Sequence, residues 1–323
     1  MGKRLRKFGK ILLWILAVIA VVLVISSVLH ATLFKQRRNA ISPYGNMVPV
    51  FDGQMHITDL GEGEHTVVLL PGMGVALPSA DFGPLQRALA EDYKTVVVEY
   101  FGVGFSTTTE RERTSDHYVE EIREALRVAG YEPPYVLIPH SISSVYSEHY
   151  ASLYPNEVEA IISLDGTSTA HYAETPAFVA ALLPIAKVQE FLGLTSLLGP
   201  LVTNKSDAME LGYTEKEVDD MLTFAGFSMN DTLLEQLAYS TEFIRDTMSL
   251  SYPKEVPFFK VIAKDTYEKP NPQIPLSPKE YQEQHLERIG EQAQFEVLEG
   301  NHFIYQTNAE AIAAIVNQVV SVE

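Results

Sequence analysis

Cysteine is missing from all 323 residues. Its absence excludes a disulfide framework, a thiolate nucleophile and any zinc or iron–sulfur site built on thiolates, although it names no compartment. Basic residues are scarce over most of the chain. Of 24 Lys and Arg, eight lie before residue 39, where no acid occurs, which leaves 16 against 42 acidic residues, a formal charge of −26, in the remainder. A body so acidic repels phosphate backbones, so no nucleic acid partner is expected. Ligand-like spacing is missing too: His56, His65, His117, His149, His171 and His285 form no metal-binding pattern, and no metal is expected. Repeats and low-complexity tracts are also lacking. The even spread of apolar residues favours one sizeable core with insertions.

What is present first is a long apolar run. Lys3, Arg4, Arg6, Lys7 and Lys10 precede an uncharged stretch from Ile11 to Leu29, broken only by Ser26 and Ser27. As a helix rising ~1.5 Å per residue it spans roughly 28 Å, close to the ~30 Å of a bilayer core. A cleaved signal peptide typically has an apolar region of about 7–15 residues, and only a poor cleavage site stands near Ala31. The expected element is therefore an uncleaved transmembrane anchor within residues 1–38. Five positive charges before the run and three after it (Lys35, Arg37, Arg38) favour a single-pass cell-membrane protein, N-terminus inside and body outside. Gly2 does not mark myristoylation, because Arg6 stands where Ser or Thr is required.

Beyond the anchor, short alternating pieces between Ser42 and Gly63 suit an edge hairpin. Continuous apolar runs of strand length then alternate with helical spacing. Strands are expected at Thr66 to Leu70, Lys94 to Glu99, Tyr135 to Ile138, Val158 to Leu164, Val256 to Ala263 and Phe295 to Leu298. Helices are expected at Phe82 to Ala90, Ser115 to Ala129, Tyr281 to Ile289 and Asn308 to Val320. This alternation implies a mostly parallel sheet covered on both faces. Between residues 167 and 252 the strand signal disappears and helical spacing takes over, with apolar stretches at Phe178 to Leu183 and Leu192 to Val202. This region reads as a helical lid inserted between two parts of one core, residues 39–166 and 253–323.

Several residues with chemical potential stand where strands end. In VLIPHSISSVY the strand stops at Pro139 and helical spacing resumes after Ser141, which suits a strand–turn–helix that exposes the hydroxyl beside the helix's first free N–H groups, beginning at Ile142. A serine at such a junction is also an ordinary helix N-cap. Pro71-Gly72-Met73-Gly74 follows a buried-type strand, and its glycines let the backbone approach a ligand, with Met73 N–H as a candidate donor. Asp165, Asp265 and His302 follow three further strands. The loop from Tyr100 to Ser106 is not a dinucleotide fingerprint, because Thr107 replaces the third glycine.

In this order and spacing the pieces VVLLPGMG, EYFGVGFS, VLIPHSISS, VIAKD and EGNHF resemble the α/β-hydrolase family over nearly all of residues 48–320. The resemblance implies a doubly wound, mostly parallel sheet with a helical lid. It implies Ser141 as nucleophile, His302 as general base and then acid, and Met73 and Ile142 N–H groups as oxyanion hole, with no cofactor. For the carboxylate that orients His302 it favours Asp265, with Asp165 as the alternative and Glu268 a distant third. His140 is expected to pack or hydrogen-bond rather than act as base. The expected activity is hydrolysis of an ester, small or lipid-like, by a carboxylesterase-like enzyme. A peptidase or amidase of the same fold, and an inactive binding protein on that scaffold, are the alternatives. Pro139, Ser143 and Ser144 occupy elbow positions where the family usually has small residues, often glycine, and Pro139 raises the question of altered elbow geometry.

Overall fold

The structure, a computed structural model, describes residues 2–172, 185–272 and 274–320. The expected apolar stretch from Phe178 to Leu183 lies outside them. Among the described residues eight strands form one sheet: β1 (Asn46–Val50), β2 (Gly53–Leu60), β3 (Thr66–Leu70), β4 (Lys94–Glu99), β5 (Tyr135–Pro139), β6 (Val158–Leu164), β7 (Phe258–Ala263) and β8 (Ala293–Leu298). Their order is β1-β2-β4-β3-β5-β6-β7-β8. The β1–β2 hairpin joins β4 antiparallel, and every other neighbouring pair is parallel.

The parallel strands are apolar throughout because both faces are covered. In β3, Val68 and Leu70 enter the cluster formed with the helices Ser115–Ala129 and Ser143–Leu153. Val67 and Leu69 point the other way, into a cluster with the helices Gly83–Leu89 and Ala309–Val320. Successive side chains of a strand face opposite sides, so one short run serves two layers.

From β3 the chain passes to β4 on one side and then to β5 on the other. In open sheets of this kind the ligand site falls where the strand order reverses, here at the carboxyl ends of β3 and β5. Pro71 to Gly74 and Ser141 sit at those ends.

Between β6 and β7 the described chain is helical. Its helices are Ile185–Phe191, Leu194–Val202, Lys205–Glu210, Glu215–Ala225 and Asp231–Met248, the first two meeting at a 79° bend. Tyr213 donates to Asp81 O at 2.7 Å, and Gln306 to the Asp81 carboxylate at 2.8 Å. Asp81 therefore ties the insertion to the segment following His302.

At the N-terminus the helix Gly2–Leu29, a π-helical turn His30–Phe34 and the helix Lys35–Ala40 run on as a single rod. Its stretch Arg6–Ala40 is long and apolar enough to cross a membrane.

Candidate active site

The turn after β5 has a backbone that non-glycine residues seldom adopt. Ser141 lies at φ 54°, in the left-handed region, which costs roughly 1–2 kcal/mol for a residue with a Cβ. Such a turn is held only by its surroundings. His140 N–H donates to Leu70 O at 2.9 Å and Ser141 N–H to Leu164 O at 3.2 Å, so both neighbouring strands fix the bend. Pro139 does not disturb it, because it is the last residue of β5 and pairing resumes at once through His140.

The serines that replace glycine at the elbow find room and partners. Ser144 Oγ meets Ser163 Oγ at 2.8 Å, and Gly166 lies so close that a Cβ there would stand 2.0 Å from Ser144 Oγ. Ser143 is buried; its hydroxyl donates to Pro71 O, so Tyr100 OH must donate to Ser143 Oγ, at 2.7 Å. Three segments distant in sequence are thus strapped together, and the Pro71-Gly72-Met73 loop is pressed against the elbow. A Cβ on Gly72 would stand 2.4 Å from His140 Nδ1 and 3.0 Å from Ser141 Cβ, so only glycine fits there. Neither Met73 N–H nor Ile142 N–H has an acceptor among the described residues. Two free donors therefore flank the serine.

His302 reaches the same place from the loop after β8. Its Nε2 lies 2.9 Å from Ser141 Oγ, and its Nδ1 lies 2.6 Å from Asp165 Oδ2. The buried carboxylate only accepts, so Nδ1 carries the proton and Nε2 accepts from the serine hydroxyl. Asp165 is itself held on both oxygens: Ala263 N–H donates to Oδ1 at 2.9 Å, and Thr266 Oγ1 to Oδ2 at 2.7 Å.

Asp265, the favoured carboxylate from sequence, is not the partner of His302. It stands at the start of the short helix Lys264–Glu268, half exposed, with its carboxylate 2.7 Å from Lys269 Nζ. The physical reason is direction: the chain turns into helix directly after β7, whereas the tight turn at Asp165, φ 43°, aims its side chain at the imidazole. Glu268 ends the same short helix and makes no hydrogen bond to His302.

His140 is the buried neighbour. Its Nε2–H donates to His302 O at 2.9 Å, and burial, reinforced by the nearby His302, pushes its pKa down to about 3. It is therefore neutral in the working range and braces the His302 loop. Sequence reasoning missed Thr266 and the Tyr100–Ser143 strut. A hydroxyl directly after Asp265, and a tyrosine opening the loop after β4, were the available signals.

A cavity of about 460 Å³ lies beside the Asp165–His302 pair, lined in part by Thr167, Ile274, Leu276, Pro278 and Tyr281. Ser141 is not among its walls. Below it, Lys260, His285 and Glu148 form a fully buried chain, Lys260 Nζ to His285 Nδ1 at 2.6 Å and His285 Nε2 to Glu148 at 2.8 Å. Burial pushes Lys260 down to about 8 and lowers His285, which fits a neutral imidazole passing a hydrogen bond between a cation and a carboxylate. No group of three or more His, Asp or Glu positioned to hold a metal occurs among the described residues.

A strand–elbow–helix carrying a serine, opposed by a histidine–carboxylate pair on this sheet order, defines a class of fold and site. The profile of the alpha/beta hydrolase fold matches residues 65–238, more than half of the chain, which belongs to that family. Among curated relatives, an uncharacterized Bacillus subtilis protein, YbdG, is 30% identical over 220 residues, 66% of each chain. The human serine hydrolase BPHL is 35% identical over 74 residues, 23% of this chain and 25% of that one. The chain thus spans just under two thirds of YbdG and far less of BPHL. Among solved structures, an esterase from Exiguobacterium antarcticum superposes with a TM-score of 0.64 at 18% identity, covering 86% of this chain and 99% of its own. The carboxylesterase CesB of Bacillus subtilis gives 0.58 at 16% identity, covering 91% and 98%. At these identities the likeness establishes the fold.

Proposed function

We propose that the protein is a membrane-anchored serine hydrolase that cleaves an ester of a small or lipid-like apolar substrate without a cofactor. The observation that carries this reading is the relay Ser141 Oγ to His302 Nε2 to Asp165, with bonds of 2.9 and 2.6 Å. Ser141 Oγ attacks the ester carbonyl while His302 Nε2 takes its proton. The oxyanion is received by Met73 and Ile142 N–H. Collapse breaks the bond to the alcohol, which leaves with the proton from His302, and an acyl-enzyme remains. Water, deprotonated by the same imidazole, then releases the acid and restores the serine. Asp165 keeps the imidazole in the required tautomer throughout.

In this reading residues 1–38 are the anchor, 39–166 and 253–323 the catalytic core, and 167–252 a lid, with the core outside the cell. The apolar residues Ile274, Leu276 and Pro278 beside His302, and the helix that would hold the site near a bilayer, support an apolar acyl or alcohol group.

The detergent-solubilised protein should bind one fluorophosphonate per chain, and should hydrolyse nitrophenyl esters of medium acyl length faster than the acetate. Absence of labelling in folded protein would overturn the enzyme reading in favour of a binding scaffold; a preference for acetate would overturn the apolar one. Gly72→Ala should lower kcat/KM by about 10²-fold, because the displaced loop carries the Met73 donor. Steady-state kinetics, with circular dichroism to verify folding, checks this.

A further inference from the structure

The N-terminal rod and the bent helix pair of the insertion meet at one level. Ser26 Oγ donates to Gly193 O at 3.4 Å, Ser27 Oγ to Phe191 O at 3.0 Å, and His30 Nδ1 lies 3.1 Å from Ser196 Oγ. Ser26 and Ser27 lie in the last turn of the apolar run that ends at Leu29, and His30 follows it directly. Phe191 ends the helix Ile185–Phe191, so its carbonyl lacks an intrahelical partner, whereas Gly193, just before the helix Leu194–Val202, has its carbonyl already bonded by Leu197 N–H at 3.0 Å. In hydrocarbon an unmet carbonyl costs several kcal/mol, whereas in water it costs little. The Ser27 hydroxyl from the rod meets the free Phe191 carbonyl, and Ser26 adds a second, longer bond to Gly193 O.

The contact is close and rigid. Gly193 adopts φ 65°, and a Cβ there would stand 2.4 Å from His30 Cβ, so a side chain would prevent docking. The His30 ring stacks on Phe227 at 4.3 Å and 18°. Arg38 lies over Phe224 and Phe227 and donates to Gly104 O at 3.3 Å. The depth of the rod in a bilayer therefore sets the depth of the bend.

The outer face of the bent pair is apolar. Ile185, Val188 and Phe191 on one helix and Leu198, Leu201 and Val202 on the other are all exposed, the last two at 78% and 82%. The two charges in residues 185–202 are engaged elsewhere: Lys187 pairs with Asp231, and Glu190 interacts with Arg38. An uncharged apolar face that continues the exposed apolar flank of a membrane-spanning helix, at the same level, fits lipid.

We infer that residues 185–202 are embedded in the bilayer leaflet that surrounds residues 26–30, so that this part of the insertion sits in the membrane surface and not in water. The occupant of the apolar face is lipid acyl chain. This rests on the anchor reading of the rod.

Because the chain has no cysteine, single cysteines can be placed and labelled without background. Val24→Cys, Leu201→Cys and Glu132→Cys, each carrying an environment-sensitive fluorophore, are reconstituted as full-length protein in phosphatidylcholine vesicles. Part of the lipid bears a nitroxide near the head of the acyl chain. Quenching at Leu201→Cys comparable to that at Val24→Cys, with none at Glu132→Cys, is the expected result. Quenching at Val24→Cys alone overturns the embedding while leaving the anchor intact. No quenching at Val24→Cys overturns the anchor, and the embedding with it. Leu201 is surface-exposed, so its replacement is compatible with folding, which circular dichroism of each variant verifies.

Discussion

Ser141→Ala should lower kcat/KM by about 10⁵-fold and abolish fluorophosphonate labelling, with little loss of thermal stability. In the proposed mechanism the Met73 and Ile142 N–H donors survive this change, so what disappears is the covalent route. The hydroxyl makes one recorded side-chain hydrogen bond, to the partly exposed His302, and its removal leaves no buried polar group without a partner. The backbone at φ 54° supplies a sharper control. Alanine keeps the left-handed strain and glycine relieves it, so Ser141→Gly should be equally inactive yet more stable than Ser141→Ala by about 1 kcal/mol. Calorimetry beside kinetics then separates loss of chemistry from loss of fold. Residual turnover above one-hundredth of wild type in a pure preparation would remove Ser141 from the nucleophile's role.

Why Ser141 could be read from sequence and its carboxylate partner could not is a matter of scale. Strands buried on both faces announce themselves as short apolar runs, and Thr66–Leu70, Lys94–Glu99 and Val158–Leu164 begin and end where composition places them. Shifts at other strand ends have local causes. The strand expected from Val256 begins at Phe258, because Pro257 brings no N–H to the ladder. The last strand begins at Ala293, two residues early, because this edge strand is largely exposed and its polar start carries no apolar signal. Ser141 and His302 follow from strand ends taken in the family's order. By contrast, β6 and β7 are neighbours, and each is followed within two residues by an aspartate. Which one faces His302 depends on turn geometry, and a turn angle leaves little trace in composition. Contacts between distant segments, such as the Tyr100–Ser143–Pro71 strut or the docking of the rod on the insertion, leave less still.

That distinction predicts the second large effect. Asp165→Asn should cut kcat by about 10⁴-fold with little change in KM, whereas Asp265→Asn should stay within about twofold of wild type. The amide is nearly isosteric: Ala263 N–H can still donate to its oxygen, and Thr266 Oγ1, which faces the other position, can turn to accept from its NH2. Its nitrogen then faces His302 Nδ1 and donates, which favours the tautomer with the proton on Nε2. Nε2 lies 2.9 Å from Ser141 Oγ, and once protonated it cannot accept the serine proton. The defect is one of proton placement, so activity should recover partly at high pH, where hydroxide or an ionised hydroxyl can substitute for the base. Among the described residues Asp265 has only its exposed ion pair with Lys269 to lose, a contribution of about 0–1 kcal/mol to stability. Equal losses in the two variants would mean that both acids serve His302. A loss confined to Asp265→Asn would require the loop after β7 to rearrange on substrate binding, displacing Asp165 from the imidazole.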